Sequence, residues 1–119
     1  MNDEQYKRFK TMQSQSIDCS IRARCPKGRL YFVIHGSSGS KYKVIITPRG
    51  SIFCSCPDML KSKINECVCK HCLYVIFEDL ELFDDVSHTF FERRYFTKDE
   101  MQNINRIMKS KKVAKLSKK

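Results

Sequence analysis

Two short residue pairs, a C-x-C at 54–56 and a C-x-H at 69–71, constrain this sequence more than any other feature. Thiolate and imidazole are preferred ligands of Zn²⁺, which usually takes four of them in a tetrahedron. Two such pairs on different elements can reach one ion when a loop such as 57–68 joins them. Because four strong ligands leave no position for water or substrate, we expect this metal to be structural rather than catalytic. The predicted ligands of one zinc ion are Cys54, Cys56, Cys69 and His71.

The remaining cysteines allow one alternative ligand set. The chain has seven cysteines, and Cys67 also precedes His71 in the same loop, so it can replace Cys69 in a shifted set. Asp58 is either an acceptor for the second nitrogen of the histidine or a turn residue. The other three cysteines are interpreted as small packing residues: Cys19, Cys25 and Cys72.

The N-terminal segment and the hydropathy pattern indicate the compartment. Residues 1–10 are polar and charged and lack the apolar segment of a signal peptide. No apolar run approaches the roughly 20 residues that span a bilayer. We therefore expect an intracellular protein, cytoplasmic or nuclear and not secreted, without a membrane partner. In such a reducing compartment, clustered cysteines with a nearby histidine indicate a metal site rather than disulfides.

The segment 17–54 predicts an antiparallel sheet. Apolar and polar residues alternate along 17–25, which is typical of a strand with one buried face. Three further strand segments at 30–35, 42–47 and 51–54 are separated by turns rich in Pro, Gly and Ser, which predicts a meander. The predicted buried face of the first strand consists of Ile17, Cys19, Ile21, Ala23 and Cys25.

Helical patterns lie on both sides of the predicted sheet, at 3–15 and 71–83, and a third helix follows Thr97. Thr97 and Glu100 form a capping-box pattern for that third helix. We expect an α+β fold, a small antiparallel β-meander with a zinc knot followed by two α-helices. The lysine-rich end either extends the last helix or frays. The expected organisation is an N-terminal helix or arm at 1–16, a zinc-binding domain at 17–108 and a basic tail at 109–119.

The spacing of the cysteines and histidine resembles the SWIM zinc finger, whose pattern is C-x-C, a variable gap and C-x-H. The resemblance rests on 54–58 and 69–71, extends to the glycine-serine segment 36–44 and to 96–100, and covers residues 20–105. It is strongest to the SWIM half of proteins that pair SWIM with a RING finger. The resemblance implies binding to DNA or to protein without choosing between them. No second cluster of Cys and His follows, so the ligase activity of RING-containing members is not carried over.

The positive charge is concentrated at the two ends of the chain. The net charge is +10, and residues 93–119 hold ten Lys and Arg against two Asp and Glu, whereas residues 30–92 carry a net −2. This distribution favours a polyanionic partner, although a lysine-rich end can also be only a solvated tail. The predicted phosphate contacts are Arg22, Arg24, Arg29, Lys109, Lys111, Lys112, Lys115, Lys118 and Lys119.

The leading hypothesis is a non-enzymatic, zinc-binding SWIM-type module that binds nucleic acid, with DNA contacted through its backbone phosphates. The alternative is a protein–protein adaptor in a larger assembly, such as a ubiquitin-ligase or transcription complex. A zinc hydrolase is disfavoured, because the ligand set is closed and no glutamate is placed as a general base. We expect no small-molecule substrate.

Overall fold

The described part of the chain combines four α-helices with one five-stranded sheet. The computed structural model describes residues 3–36, 39–56, 68–83, 90–93, 95–111 and 114–115. The helices are α1 (Asp3–Ser14), α2 (Lys70–Tyr74), α3 (Phe90–Arg93) and α4 (Lys98–Ser110), and a π-helical turn, Val75–Asp79, continues α2. The strands are β1 (Asp18–Arg24), β2 (Leu30–His35), β3 (Lys41–Ile46), β4 (Ile52–Cys54) and β5 (Ala114–Lys115).

The sheet has the strand order β4-β3-β2-β1-β5. Strands β1 to β4 pair antiparallel with their sequence neighbours, as a meander does, and β5 runs parallel to β1 at the edge. The tight connections between strands use Gly28 and Gly50, whose positive φ angles of 93° and 98° suit glycine. The predicted antiparallel meander and the α+β class are confirmed, and β5 is an additional strand.

A β-bulge in β1 overturns the buried face that the alternation predicted. The register shifts between Cys19 and Ile21, and an extra residue in one strand inverts the alternation beyond it. Arg22 consequently stands opposite the buried Phe32, on the core side of the sheet. Ile21 stands opposite Val33 on the other side and is 51% exposed. The prediction that one face carries all five apolar residues is therefore wrong.

The hydrophobic core lies between the inner face of the sheet and the helices. Strand β2 alternates strictly, and its inward residues Leu30, Phe32 and Ile34 are fully buried. The inward residues Val44 and Ile46 of β3 continue the same layer. The helical side of the core is formed by Leu73, Val75, Ile76, Phe90, Phe96, Ile104 and Met108.

The apolar run at 71–83 forms a shorter helical segment than the sequence predicts. The helix passes into the π-helical turn and ends at Asp79. Glu81 then adopts a left-handed conformation with φ of 51°, and the N–H of Leu82 donates to the carbonyl of Ile76 over 2.8 Å. This reversal stops the helix four residues early, and the wider π-helical turn leaves Asp79 buried.

The capping box of α4 is confirmed. The N–H of Glu100 donates to Oγ1 of Thr97 over 3.1 Å, and the N–H of Thr97 donates to Oε1 of Glu100 over 2.9 Å. Beyond Ser110 the chain neither extends the helix nor frays where it is described, because β5 adds to the sheet beside β1. None of the helices in the described ranges is long and apolar enough to cross a lipid bilayer.

Candidate metal centre

The two predicted ligand pairs come from the end of β4 and the start of α2. Cys54 is the last residue of β4, and Cys56 follows after one intervening residue. Cys69 occupies the N-cap of α2 with extended backbone angles, and His71 lies in the first turn. Both elements contribute residues to the hydrophobic core, and this packing holds the ligands in place.

The four predicted ligands form one tight, buried group. Their donor atoms, three sulfurs and one imidazole nitrogen, all lie within 4.8 Å of one another. Sγ of Cys54 is 3.8 Å from Nδ1 of His71. Ligands placed 2.0–2.3 Å from a tetrahedral ion are separated by about 3.3–3.8 Å, so a metal ion fits after a small contraction. The group formed by Cys54, Cys56, Cys69 and His71 can therefore hold a metal ion.

The ring of His71 is oriented for ligation through Nδ1. This nitrogen faces the cysteine sulfurs, while Nε2 is buried and has no hydrogen-bond partner among the described residues. The ring of Tyr42 packs on the imidazole, with centroids 4.6 Å apart and planes tilted by 37°. The backbone of Gly36 closes the Nε2 side, since a Cβ there would lie 3.5 Å from that nitrogen. Packing against Tyr42 and Gly36, together with the contact between Nδ1 and Cys54, thus fixes the ring.

The Cys54 thiol carries a proton that a bound metal ion must displace. The pKa of Cys54 is raised far above its usual value, and the hydrogen bond with the Cys56 side chain is the largest cause. The backbone N–H of Cys56 also lies 3.5 Å from Sγ of Cys54, where it can stabilise a thiolate. A divalent cation supplies the positive charge that exchanges for these protons.

Two further cysteines neighbour the centre in the sequence. Cys72 is fully buried, and burial is the main reason that its pKa is raised. It lies close enough to exchange hydrogen bonds with Cys54 and Cys69, yet it is outside the four-residue donor group. Cys67, the alternative ligand, and Asp58, the candidate acceptor, lie outside the described residues.

Arg22, one of the predicted phosphate contacts, is held by an internal ion pair. Its Nε donates to both carboxylate oxygens of Asp79, over 3.0 and 2.8 Å, and its Nη2 also contacts that carboxylate. The Asp79 side chain is only 2% exposed, against 25% for Arg22. This pair raises the pKa of the guanidinium. The guanidinium therefore has an internal carboxylate partner, on the core side of the sheet.

The other predicted phosphate contacts are spread around the edges of the molecule. Nη1 of Arg24 donates to Oδ1 of Asn105 over 3.4 Å. The backbone of Arg24 is paired in register with that of Lys115 in β5. Arg29 is exposed in the β1–β2 connection. Lys109 is exposed at the end of α4 and Lys111 is half-buried just beyond it, while Lys112, Lys118 and Lys119 lie outside the described residues.

Two supporting residues escaped the sequence analysis. Gln5 on α1 forms hydrogen bonds with the backbone of Val68, immediately before the second ligand pair. Asp79 accepts hydrogen bonds from the guanidinium of Arg22. A buried glutamine among polar neighbours leaves no distinctive pattern in the sequence. An acidic residue within the apolar run 71–83 is a usable signal, since a buried carboxylate requires a partner.

No protein-family model, curated protein or solved structure matches this chain. The case for the metal centre therefore depends on the donor atoms, their separations and their burial.

Proposed function

We propose that this chain is a non-enzymatic, SWIM-type zinc-binding module that also binds nucleic acid. One observation carries the zinc assignment, namely the buried group of three cysteine sulfurs and one histidine nitrogen within 4.8 Å. Tetrahedral sites of thiolate and imidazole suit Zn²⁺ better than cations that prefer oxygen ligands. The C-x-C and C-x-H spacing of the SWIM finger supports the same assignment.

The zinc would be held by Cys54, Cys56, Cys69 and His71, where it would join the end of β4 to the start of α2. Such a site contributes directly to folding, because the separate elements are then linked through the metal. A four-ligand set has no position for an activated water, which supports a structural role and argues against hydrolysis.

Metal analysis combined with X-ray absorption tests the zinc assignment. We expect one zinc per chain, coordinated by three sulfurs and one nitrogen, and a strong loss of zinc in Cys69→Ser. The matched control is Cys25→Ser, a half-buried cysteine outside the donor group that should retain full zinc. Full zinc in Cys69→Ser would assign the ligand to Cys67 instead. An oxygen ligand at full occupancy would favour the hydrolase.

Charge supports the nucleic-acid part of the proposal. Residues 93–119 carry +8 of the net charge of +10, and Arg29 and Lys109 are exposed cations. Arg24 adds a further cation on β1, whereas Arg22 is paired with the buried Asp79 inside the domain. Lys and Arg that neutralise phosphates bind DNA without reading its sequence.

Fluorescence anisotropy with two unrelated DNA duplexes at three salt concentrations tests this part. A phosphate-binding protein should bind both duplexes about equally and lose affinity steeply as salt rises. An adaptor would show no duplex binding near physiological salt. It would instead retain a protein partner from a nuclease-treated native extract.

A further inference from the structure

The side of the sheet that faces away from the core carries an exposed layer of apolar and aromatic side chains. The register places Phe53, Ile45 and Tyr31 in one row across three strands. A second row runs through Lys43, Val33 and Ile21. We call this surface the outer face and define it by these six residues, Ile21, Tyr31, Val33, Lys43, Ile45 and Phe53.

The outer face is open to solvent although most of its residues are apolar. Phe53 is 47% exposed and Ile21 is 51% exposed, and both belong to the few large hydrophobic residues so exposed in the described ranges. Tyr31, Val33 and Ile45 are half-buried and Lys43 is exposed, whereas inward residues of the same strands such as Phe32, Val44 and Ile52 are buried. The row through Tyr31 ends at Ala23, which is buried next to β5. A surface of this kind marks an interaction site.

The charges around the outer face are mostly positive, although the register also places Asp18 on this side, at the end of the row through Lys41 and His35. Lys43 lies within it, with Nζ 5.3 Å from the centroid of the Tyr31 ring. Lys41 shares its side of β3, and the exposed Arg29 and Arg49 lie in the connections at the opposite end. Asp18, at a corner of the sheet, is the only acidic residue in strands β1 to β4. The outer face therefore complements a partner that combines negative charge with flat apolar groups.

Single-stranded nucleic acid has that combination, because its unpaired bases can stack on aromatic rings while its phosphates meet lysine and arginine. A second copy of this chain would bring like charges together. A DNA duplex hides its bases in the stack, and four strands about 15 Å wide do not enter a major groove about 12 Å wide.

We propose that the outer face binds single-stranded nucleic acid, with bases stacked on Tyr31 and Phe53 and phosphates held by Lys43, Lys41 and Arg29. This inference rests on the proposed nucleic-acid function and adds to it a surface and a strand type. Tyr31 and Phe53 are two strands apart, about 10 Å across the sheet, so each ring receives a different base. Stacking of this kind tolerates any base, so little sequence preference is expected.

The experiment measures anisotropy of a fluorescein-labelled oligothymidylate of about 15 nucleotides, titrated with the full zinc-loaded chain. Phe53→Ala and Tyr31→Ala should each weaken binding about 5- to 150-fold, the range that loss of one base–aromatic stack produces. The matched control is Tyr6→Ala, which removes an aromatic side chain that is 42% exposed on α1 and should leave binding unchanged. Zinc content and circular dichroism verify that each variant is folded.

An abasic oligonucleotide of equal length separates stacking from phosphate contact. The unmodified chain should bind the abasic oligonucleotide more weakly than it binds oligothymidylate. Phe53→Ala and the unmodified chain should bind the abasic oligonucleotide with equal affinity. Equal binding of both oligonucleotides, or unchanged oligothymidylate binding in Phe53→Ala, would overturn the outer-face proposal. If the chain still binds duplex DNA in that case, the proposed binding of nucleic-acid phosphates stands without the outer-face site. A self-association that Phe53→Ala abolishes, without any oligonucleotide binding, would assign the outer face to a second copy of the chain.

Discussion

The side-chain amide of Gln5 forms two hydrogen bonds with the backbone of Val68, donating to its carbonyl over 2.9 Å and accepting from its N–H over 2.7 Å. Both residues are buried, and Val68 directly precedes Cys69. The N-terminal helix therefore positions the second ligand pair from 63 residues away. Phe9 of the same helix packs on Phe77, with ring centroids 4.8 Å apart.

Replacing Gln5 by Ala should destabilise the folded domain. The substitution leaves a buried N–H and a buried carbonyl of Val68 unpaired, at a cost of about 1–3 kcal/mol for a group that loses its partner. Urea denaturation of the zinc-loaded protein measures the change in the free energy of unfolding. Gln13→Ala, at an exposed position on the same helix, is the matched control and should change the midpoint little. Equal midpoints for the two variants would contradict the positioning role.

Removing the charge of Arg22 should destabilise the protein more than removing the charge of Asp79. Arg22→Gln leaves the deeply buried carboxylate without its cation, whereas Asp79→Asn leaves a guanidinium that is 25% exposed and can reach water. We expect about 2–4 kcal/mol of destabilisation for Arg22→Gln, near the range for breaking a buried pair, and a smaller loss for Asp79→Asn. Urea denaturation of both single variants and of the double variant measures the coupling. The reverse order of stabilities would exclude this explanation, and Arg49→Gln serves as an exposed control.

Gly50 should not tolerate a side chain. A Cβ at this position would collide with the carbonyl oxygen of Phe96, whose N–H donates to the Gly50 carbonyl over 2.8 Å. Gly39→Ala is the matched control, because its φ is also positive, at 87°, but no atom of the described residues lies within 4 Å of the added Cβ. Backbone strain alone costs about 1–3 kcal/mol, so both variants lose stability, and Gly50→Ala should lose clearly more. Similar thermal midpoints for the two variants would show that the contact with Phe96 relaxes without cost.

Zinc binding should release protons and strengthen as the pH rises. The raised pKa of Cys54 keeps its thiol protonated at neutral pH, and zinc binds only the thiolate form. Lowering the pH from about 8 to 6 should therefore weaken binding, and up to about three protons should leave at neutral pH, one per cysteine ligand. Calorimetry in two buffers of different ionisation enthalpy counts the protons, with Cys25→Ser as control. An affinity independent of pH would rule out three thiol ligands.

Local patterns in the sequence predicted the donor group and most of the fold. Ligand spacing, the strict alternation of β2 and the capping box at Thr97 each depend on neighbours within a few residues. The bulge in β1 could not be predicted in this way, because either set of alternating residues can face inward. Arg22 faces inward in the structure, where its charge is compensated by Asp79, 57 residues away. An acidic residue within an apolar run indicates that a partner is needed, but packing decides which residue at that sequence distance becomes the partner.

The fifth strand changes how the basic tail is best tested. Deleting 109–119 would remove β5 from the edge of β1, and with it two backbone pairings, Ala23 with Ala114 and Arg24 with Lys115. After such a deletion, a loss of DNA binding would not distinguish the loss of positive charge from the loss of stability. Substituting Gln for lysine removes the charge and keeps the backbone pairing.

The last prediction applies this substitution to the six tail lysines, Lys109, Lys111, Lys112, Lys115, Lys118 and Lys119. The variant should keep its zinc and its thermal midpoint but bind unrelated duplexes more weakly, and equally so, because these contacts carry no sequence information. The slope of log affinity against log salt should flatten by less than about six, since roughly 0.9 counterions are released per phosphate contacted. Gln substitutions at Lys7 and Lys10, exposed lysines on α1, control for total charge. An unchanged slope in the tail variant, or an equal change per lysine in the control, would show that the tail does not contact phosphate.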